Sequence, residues 1–286
     1  MQVNYALTRA LEEAGATVLS GSEAPGEAGA LTVTLLVGVG KTATHEVVIT
    51  RPGRPHEGEA RPARIALVLQ GDDADLATVH DIDAPFAVAA PATGDGHERF
   101  LRDLHHAGHE IVLMVPMEPE NYPRVNPGPG TLLVSMSEGR IRGELTRMVR
   151  EGEGVVAVAN LLGSFATQDE SFVTSVYRTL KGLGLPFLHL TPAPRAVCKP
   201  LASRMGVAYD EPDVALVDEA RAKTTEPLEA AWTTAIAHAH KHGAAIVLVR
   251  VTPLSAPWLP SAVKAASAAG VTLVPLSGVI HHASPL

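Results

Sequence analysis

Few residues in this chain have the type and spacing to do chemistry. Two histidine pairs stand four apart, His105 with His109 and His238 with His242. On a helix, that spacing puts two imidazoles on one face, as in many zinc sites. Asp72, Asp73 and Asp75 cluster behind one apolar run, His189 closes another, and His281 and His282 sit near the carboxyl end. A hydrolytic metal centre needs about three converging His or carboxylate ligands and a base. Cys198 is the single cysteine, which excludes an internal disulfide and a Cys-rich zinc site. With no histidine near it in sequence, it reads as a small buried hydrophobe rather than a nucleophile. "GVGK" (38–41) is too short for a phosphate loop.

The elements that must position these groups follow from the apolar pattern. Residues 3–14 carry Leu7, Leu11 and Ala14 at helical spacing, and "GALTVTLLVGVG" (29–40) and "THEVVIT" (44–50) read as strands joined by a tight connection. Residues 1–50 are therefore expected to form a small α/β unit. "RPGRPHEGEARPAR" (51–64) has Pro, Gly and charge without periodicity, so 51–63 reads as a linker. From residue 64 to 286, short apolar runs alternate with helical patterns. The runs are 64–70, 85–90, 109–115, 154–160, 186–190, 213–217, 244–250 and 271–276, and the helical patterns are 97–108, 137–152, 169–184, 225–243 and 256–270. Continuous apolar strands between helices imply buried parallel strands, and seven or eight such units suit a (β/α) barrel. Ser137 is a candidate N-cap for the second of these helices, whose apolar stripe is Ile141, Leu145, Met148 and Val149.

Ligands of such folds bind at the carboxyl ends of the strands. Read there, the chain offers Gln70-Gly71, Met114 to Glu118, Asn160 to Ser164, then His189, Thr191 and Arg195, and finally Arg250 and Thr252. One histidine and scattered carboxylates do not compose a working metal centre. The two histidine pairs fall in helices expected to cover the outside of the barrel, where a histidine near a helix C-terminus is favoured by the dipole. Asp72 and Asp73 read as a solvated turn. The composition excludes other classes. Net charge is −8 and aromatics are 4%, against nucleic-acid binding. No apolar run reaches the ~18 residues that span a bilayer. No signal peptide is visible, so the chain is expected to be cytoplasmic or to have lost a leader.

"GHEIVLMVPMEPENYPRVNPGPGTLLVSMSEGRIRGEL" (108–145), "VVAVANLLGS" (155–164) and "LPFLHLTPAPRAV" (185–197) resemble the divergent polysaccharide deacetylases, a branch of the carbohydrate-esterase deacetylases. The resemblance covers roughly residues 64–280. It implies a distorted seven-stranded (β/α) barrel and a bacterial cell-envelope or periplasmic protein acting on a glycan such as peptidoglycan. The catalytic positions depart from the family pattern. Gln70 and Gly71 stand for an Asp-Asp pair, Met114 and Leu161 for histidines, His189 for an aspartate, and Arg250 and Thr252 for the two closing histidines. The Pro-Gly frame is kept.

That pattern implies a degenerate deacetylase that binds a glycan or an envelope protein, with no resident metal and a pocket lined by Glu118, Tyr122, Asn160, Ser164, His189 and Arg195. Glu118 and Arg195 are expected either to line that pocket or to pair with each other. One alternative is an active zinc-dependent deacetylase rewired onto His189, Asp72 or Asp73 and Glu118. Another is an interaction scaffold whose N-terminal unit pairs through its strand edges with itself or with a partner.

Overall fold

The structure, a computed structural model, describes residues 16–25, 31–51, 62–71, 76–79, 82–93, 97–216 and 224–280. The helix expected over 3–14, most of the linker, Asp72, Asp73, Asp75, His281 and His282 lie outside the described residues. The chain forms two compact units, Met1–Arg61 and Pro62–Leu286.

The first unit holds an antiparallel sheet of β1 Thr17–Pro25, β2 Leu31–Val39 and β3 Thr42–Arg51, in that order. Val33, Leu35 and Val37, alternate residues of β2, are buried on one face. Gly40, at φ 60°, makes the turn into β3. β1 was not expected. "TVLSGSEAP" has no apolar alternation, and the strand is largely exposed and held by its ladder to β2.

The second unit is built on a parallel sheet. Its strands are β4 Ala63–Gln70, β5 Phe86–Pro91, β6 Glu110–Met117, β7 Val155–Leu162, β8 Phe187–Leu188, β9 Tyr209–Asp210, β10 Val214–Leu216, β11 Ala244–Arg250 and β12 Val271–Leu273. The hydrogen-bonded order is β10-β11-β4-β5-β6-β7-β8-β9, with β12 pairing the start of β4. Eight strands thus lie along the path, and a ninth branches from it. β9 and β10 end the path at opposite edges, yet only residues 211–213 separate them. Four Cα–Cα steps span at most about 14 Å. The two edges are therefore close, and the sheet is curled into a half-barrel.

Helices α1 His97–His106, α2 Glu138–Glu151, α3 Glu170–Leu183, α4 Cys198–Met205, α5 Glu226–His242 and α6 Leu259–Ala268 complete the unit. Ser137 caps α2 by accepting the Arg140 N–H at 3.4 Å, and Asp169 caps α3 by accepting that of Phe172 at 2.7 Å. The strands are apolar on both faces. Outward residues pack under the helices: Ile65, Leu67, Val88 and Val247 with Trp232 of α5 and Ala262 of α6, and Leu113, Val115, Val158 and Phe187 with Leu145, Tyr177 and Leu201 of α2, α3 and α4. Inward residues are often small (Ala66, Ala87, Ala89, Ala157 and Ala159) and pack with Val68, Val112, Leu188, Ile246 and Leu276. Small side chains on the concave face let the sheet curl without a void. No helix among the described residues is long and apolar enough to cross a membrane.

Candidate functional site

Strand alternation decides which residues meet at the mouth of the curled sheet. On β4, Ala66 and Val68 point inward, so Gln70 continues that row. On β6 the row is Val112, Met114 and then Pro116; on β7 it is Ala157, Ala159 and Leu161; on β11 it is Ile246, Leu248 and then Arg250. The parallel register sets these rows side by side: Arg250 opposite Gln70, Pro91 opposite Met114, and Pro116 opposite Leu161. The structure therefore gathers four of the anticipated catalytic positions at one rim. Met114 is buried, and the Gln70 amide Nε2 contacts its Sδ at 3.2 Å. Leu161 is half-buried against the inner core, and Arg250 is exposed. Gly71 follows β4, half-buried. Thr252 lies just past β11, where its N–H donates to Ser255 Oγ at 2.9 Å and its hydroxyl accepts the Ser255 N–H at 3.2 Å, closing a turn.

This donor set does not fit a zinc ion. An amide, a thioether, an alkyl chain and a guanidinium offer neither imidazole nor carboxylate. Among the described residues, no group of three or more His, Cys, Asp or Glu is arranged to hold a metal.

The frame around the mouth is fully built. Glu118 follows β6, and its Oε2 accepts the Val134 N–H at 2.8 Å. Its own N–H donates to Leu132 O at 3.0 Å, and its carbonyl accepts from Phe165 and Ala166, at 3.2 and 2.9 Å. One residue thus ties the end of β6, the returning loop and the segment after β7. Within the loop, Gly128 and Gly130 have φ of 122° and 74°, and Thr131 Oγ1 donates to Gly128 O at 2.6 Å. The Tyr122–Pro123 peptide is cis, and Tyr122 is half-buried. Leu162 has φ 59°, uncommon for a branched side chain, and Gly163 follows at 89°. Asn160 holds that bend: its Nδ2 donates to Leu162 O at 2.7 Å and to Thr191 Oγ1 at 3.2 Å, while its Oδ1 accepts the Leu190 N–H at 3.0 Å. Ser164 Oγ accepts the Glu120 N–H at 3.1 Å.

Two pocket expectations are corrected by the same alternation. Asn160 shares the parity of Val158, and His189 that of Phe187; both faces are the helix-covered side, not the mouth. Asn160 is a buried backbone clip. His189 is fully enclosed, with its ring 5.7 Å from Phe187 and 6.1 Å from Tyr209. Its Nδ1 lies 3.0 Å from the Tyr209 hydroxyl, which donates to Glu211 Oε1 at 2.6 Å. Because that phenol proton is committed to Glu211, the phenol oxygen accepts from Nδ1–H, and Nε2 keeps a bare lone pair. No partner reaches Nε2. Burial lowers the His189 pKa to about 4, with the Glu211 charge opposing that fall, so the ring is neutral. Of the two readings of Glu118 and Arg195, lining the pocket or pairing with each other, the second does not occur. Glu118 bonds to Val134, and exposed Arg195 lies 4.0 Å from Glu120. Burial pushes the Cys198 thiol up to about 11, which removes a thiolate nucleophile. The pair His105 and His109 divides: His109 stacks on Phe86 at 3.8 Å, and His105 is exposed.

Sequence reasoning missed Tyr209, Glu211 and Asp213. They fall in "YDEPD", a run with no apolar periodicity, and only the pairing of β8 with β9 sets Tyr209 and Glu211 beside His189. The partner of a buried strand-end histidine has no signature in a linear pattern.

Residues 70–280 match the family model described as divergent polysaccharide deacetylase. No curated protein matches. Among solved structures, an uncharacterized protein from Agrobacterium tumefaciens C58 is similar at 25% identity and a TM-score of 0.69, over 79% of this chain and 92% of that one. The catalytic domain of a peptidoglycan N-acetylglucosamine deacetylase from Eubacterium rectale aligns at 14% identity and 0.45, over 78% and 94%. A CE4 family pseudoenzyme from Bacillus anthracis aligns at 11% and 0.47, over 97% and 95%.

Proposed function

The chain belongs to the divergent polysaccharide deacetylase family, and we propose that it is a member without hydrolytic activity whose barrel binds a glycan or a partner protein at the cell envelope. The observation that carries this reading is the rim of Gln70, Met114, Leu161 and Arg250, which the strand register assembles. Hydrolysis of an acetyl amide or ester needs a base to activate water and an electrophile to polarise the carbonyl. A glutamine amide has no basicity near neutral pH, and the Met and Leu side chains cannot ligate zinc. The retained loop frame keeps the shape of the mouth, which serves binding. Rewiring onto His189 and Glu118 finds no support, because His189 is enclosed beside Tyr209 and Glu118 is bonded into the loop.

The test is acetate release from N-acetylated and O-acetylated peptidoglycan with zinc, cobalt or manganese supplied, beside co-sedimentation with the same insoluble glycan. Retention on the glycan without acetate release is expected. Turnover that depends on added metal would overturn the reading.

A second role rests on the first unit. Its sheet has two edge strands, β1 and β3, and exposes Val39 and Val48, at 70% and 57%. Among the described residues neither edge strand pairs with a further strand, and these edges with the exposed valines favour strand pairing between copies of the chain.

A further inference from the structure

The segments that leave β6 and β7 carry the exposed apolar side chains of the second unit. Among its described residues, the large ones are Val125 in the β6–α2 loop, Leu162 at the end of β7 and Phe165 just past it, at 44%, 41% and 45% exposure. Apolar surface gathered on the loops of one sheet end, rather than scattered, marks a contact surface. Phe165 stands on fixed backbone. Its N–H donates to Glu118 O at 3.2 Å, and its carbonyl accepts the Gln168 N–H at 3.1 Å. Leu162 is held at φ 59° by the Asn160 amide on its carbonyl, a conformation that persists only where the surroundings enforce it.

Polar groups with spare bonding capacity lie on the segments tied to Phe165. Gln168 Nε2 donates to Ser164 O at 2.6 Å and to Glu120 Oε1 at 3.1 Å, which leaves Gln168 Oε1 and Glu120 Oε2 as acceptors. The Arg195 side chain is 81% exposed, and at 4.0 Å from Glu120 its guanidinium keeps its donors. One carboxylate and one guanidinium cancel, so the cluster is neutral, in a chain of net charge −8. That balance does not suit a polyanion. Three part-exposed apolar side chains are also a small fraction of the about 800 Å² that each partner buries in a stable protein interface. A pyranose fits both features. One face of its ring is C–H and stacks on an aromatic face, while its rim presents hydroxyls that donate and accept. We infer that Phe165 is the stacking platform of a subsite for a neutral hexopyranose, with Leu162 extending the apolar floor and Glu120, Gln168 and Arg195 bonding the hydroxyl rim. The subsite rests on the glycan-binding reading of the mouth and assigns the residues and the sugar class that serve it.

The test is a binding isotherm of the full chain on insoluble peptidoglycan, read by sedimentation, with tetra-N-acetylchitotetraose as soluble competitor. Expected is retention of the wild type that the competitor releases. Phe165→Ala and Phe165→Leu should each weaken retention about tenfold, while Phe165→Tyr preserves it. Arg195→Gln should weaken it severalfold and, changing only an exposed side chain, reports even if a Phe165 variant folds poorly. Melting temperatures of the variants should match the wild type, since these side chains carry little of the core. Unchanged affinity in Phe165→Ala or in Phe165→Leu, or a competitor without effect, would overturn the subsite and leave the glycan-binding reading standing. No retention of the wild type would remove that reading and the subsite with it.

Discussion

Charging His189 should destabilise the barrel, and the cost follows from where the ring sits. The imidazole is fully buried, its Nδ1–H is committed to Tyr209, and Nε2 faces no partner. Burial lowers its pKa from 6.5 to about 4. The unfolded chain therefore takes up a proton that the folded chain refuses between those two values. The His189 contribution is fully present above about pH 6.5, is lost as pH falls from there to about 4, and is constant below. At about 1.4 kcal/mol for each pH unit of that window, the loss relative to pH 7 is about 2 kcal/mol by pH 5 and about 3 kcal/mol by pH 4. Against a typical stability of about 5–15 kcal/mol, that is a large share. His189→Leu removes the titrating ring while Tyr209 keeps its bond to Glu211, so no new polar group is stranded. Urea denaturation at pH 7, 6 and 5 on both proteins isolates the effect, because the carboxylates titrate alike in each. The wild type should lose about 2 kcal/mol more than the variant over this range. Nitrogen NMR should show a neutral Nδ1–H tautomer in the folded protein. Equal pH dependence in the two proteins, or a His189 ring titrating near 6.5, would refute the reasoning.

Gly163→Ala should destabilise by about 1–3 kcal/mol, since φ is 89° and a Cβ would stand 2.8 Å from that of Met117; Gly182→Ala, in α3 with nothing within 4 Å, should stabilise by about 0.5–1 kcal/mol. Chemical denaturation of the pair checks both signs at once. Asn160→Leu leaves the Leu190 N–H without its acceptor and should cost about 1–3 kcal/mol, with faster amide exchange across residues 188–191 if the clip is real. Lysine at both Val39 and Val48 should reduce self-association of the full chain in sedimentation, and an unchanged mass would count against pairing through the N-terminal sheet.

The helices α2, α3 and α5 were legible because each combines an apolar stripe with a boundary residue such as Ser137, Asp169 or Gly243. Strands β4 to β7 and β11 were legible as continuous apolar runs. β1, β9 and α4 were not. β9 is two residues long, β1 is mostly exposed, and α4 carries a proline in its first turn and only three buried residues. Such elements exist because neighbours pair with or cover them, and a local pattern does not record the neighbour.

The residue types at the strand ends settled one question before any coordinates. Gln70, Met114, Leu161 and Arg250 cannot supply a hydrolytic zinc site wherever the chain places them, because functional groups are a property of the sequence. Facing is not. Asn160 and His189 sit at strand ends like the others, yet the alternation of β7 and β8 turns them toward the helices, where one becomes a clip and the other a neutral buried ring. The partners Tyr209 for His189 and Asp213 for His238 arrive from distant positions through strand pairing and helix packing. Which groups are available is written residue by residue, but which of them meet depends on strand parity and register, and those exist only once the sheet has formed.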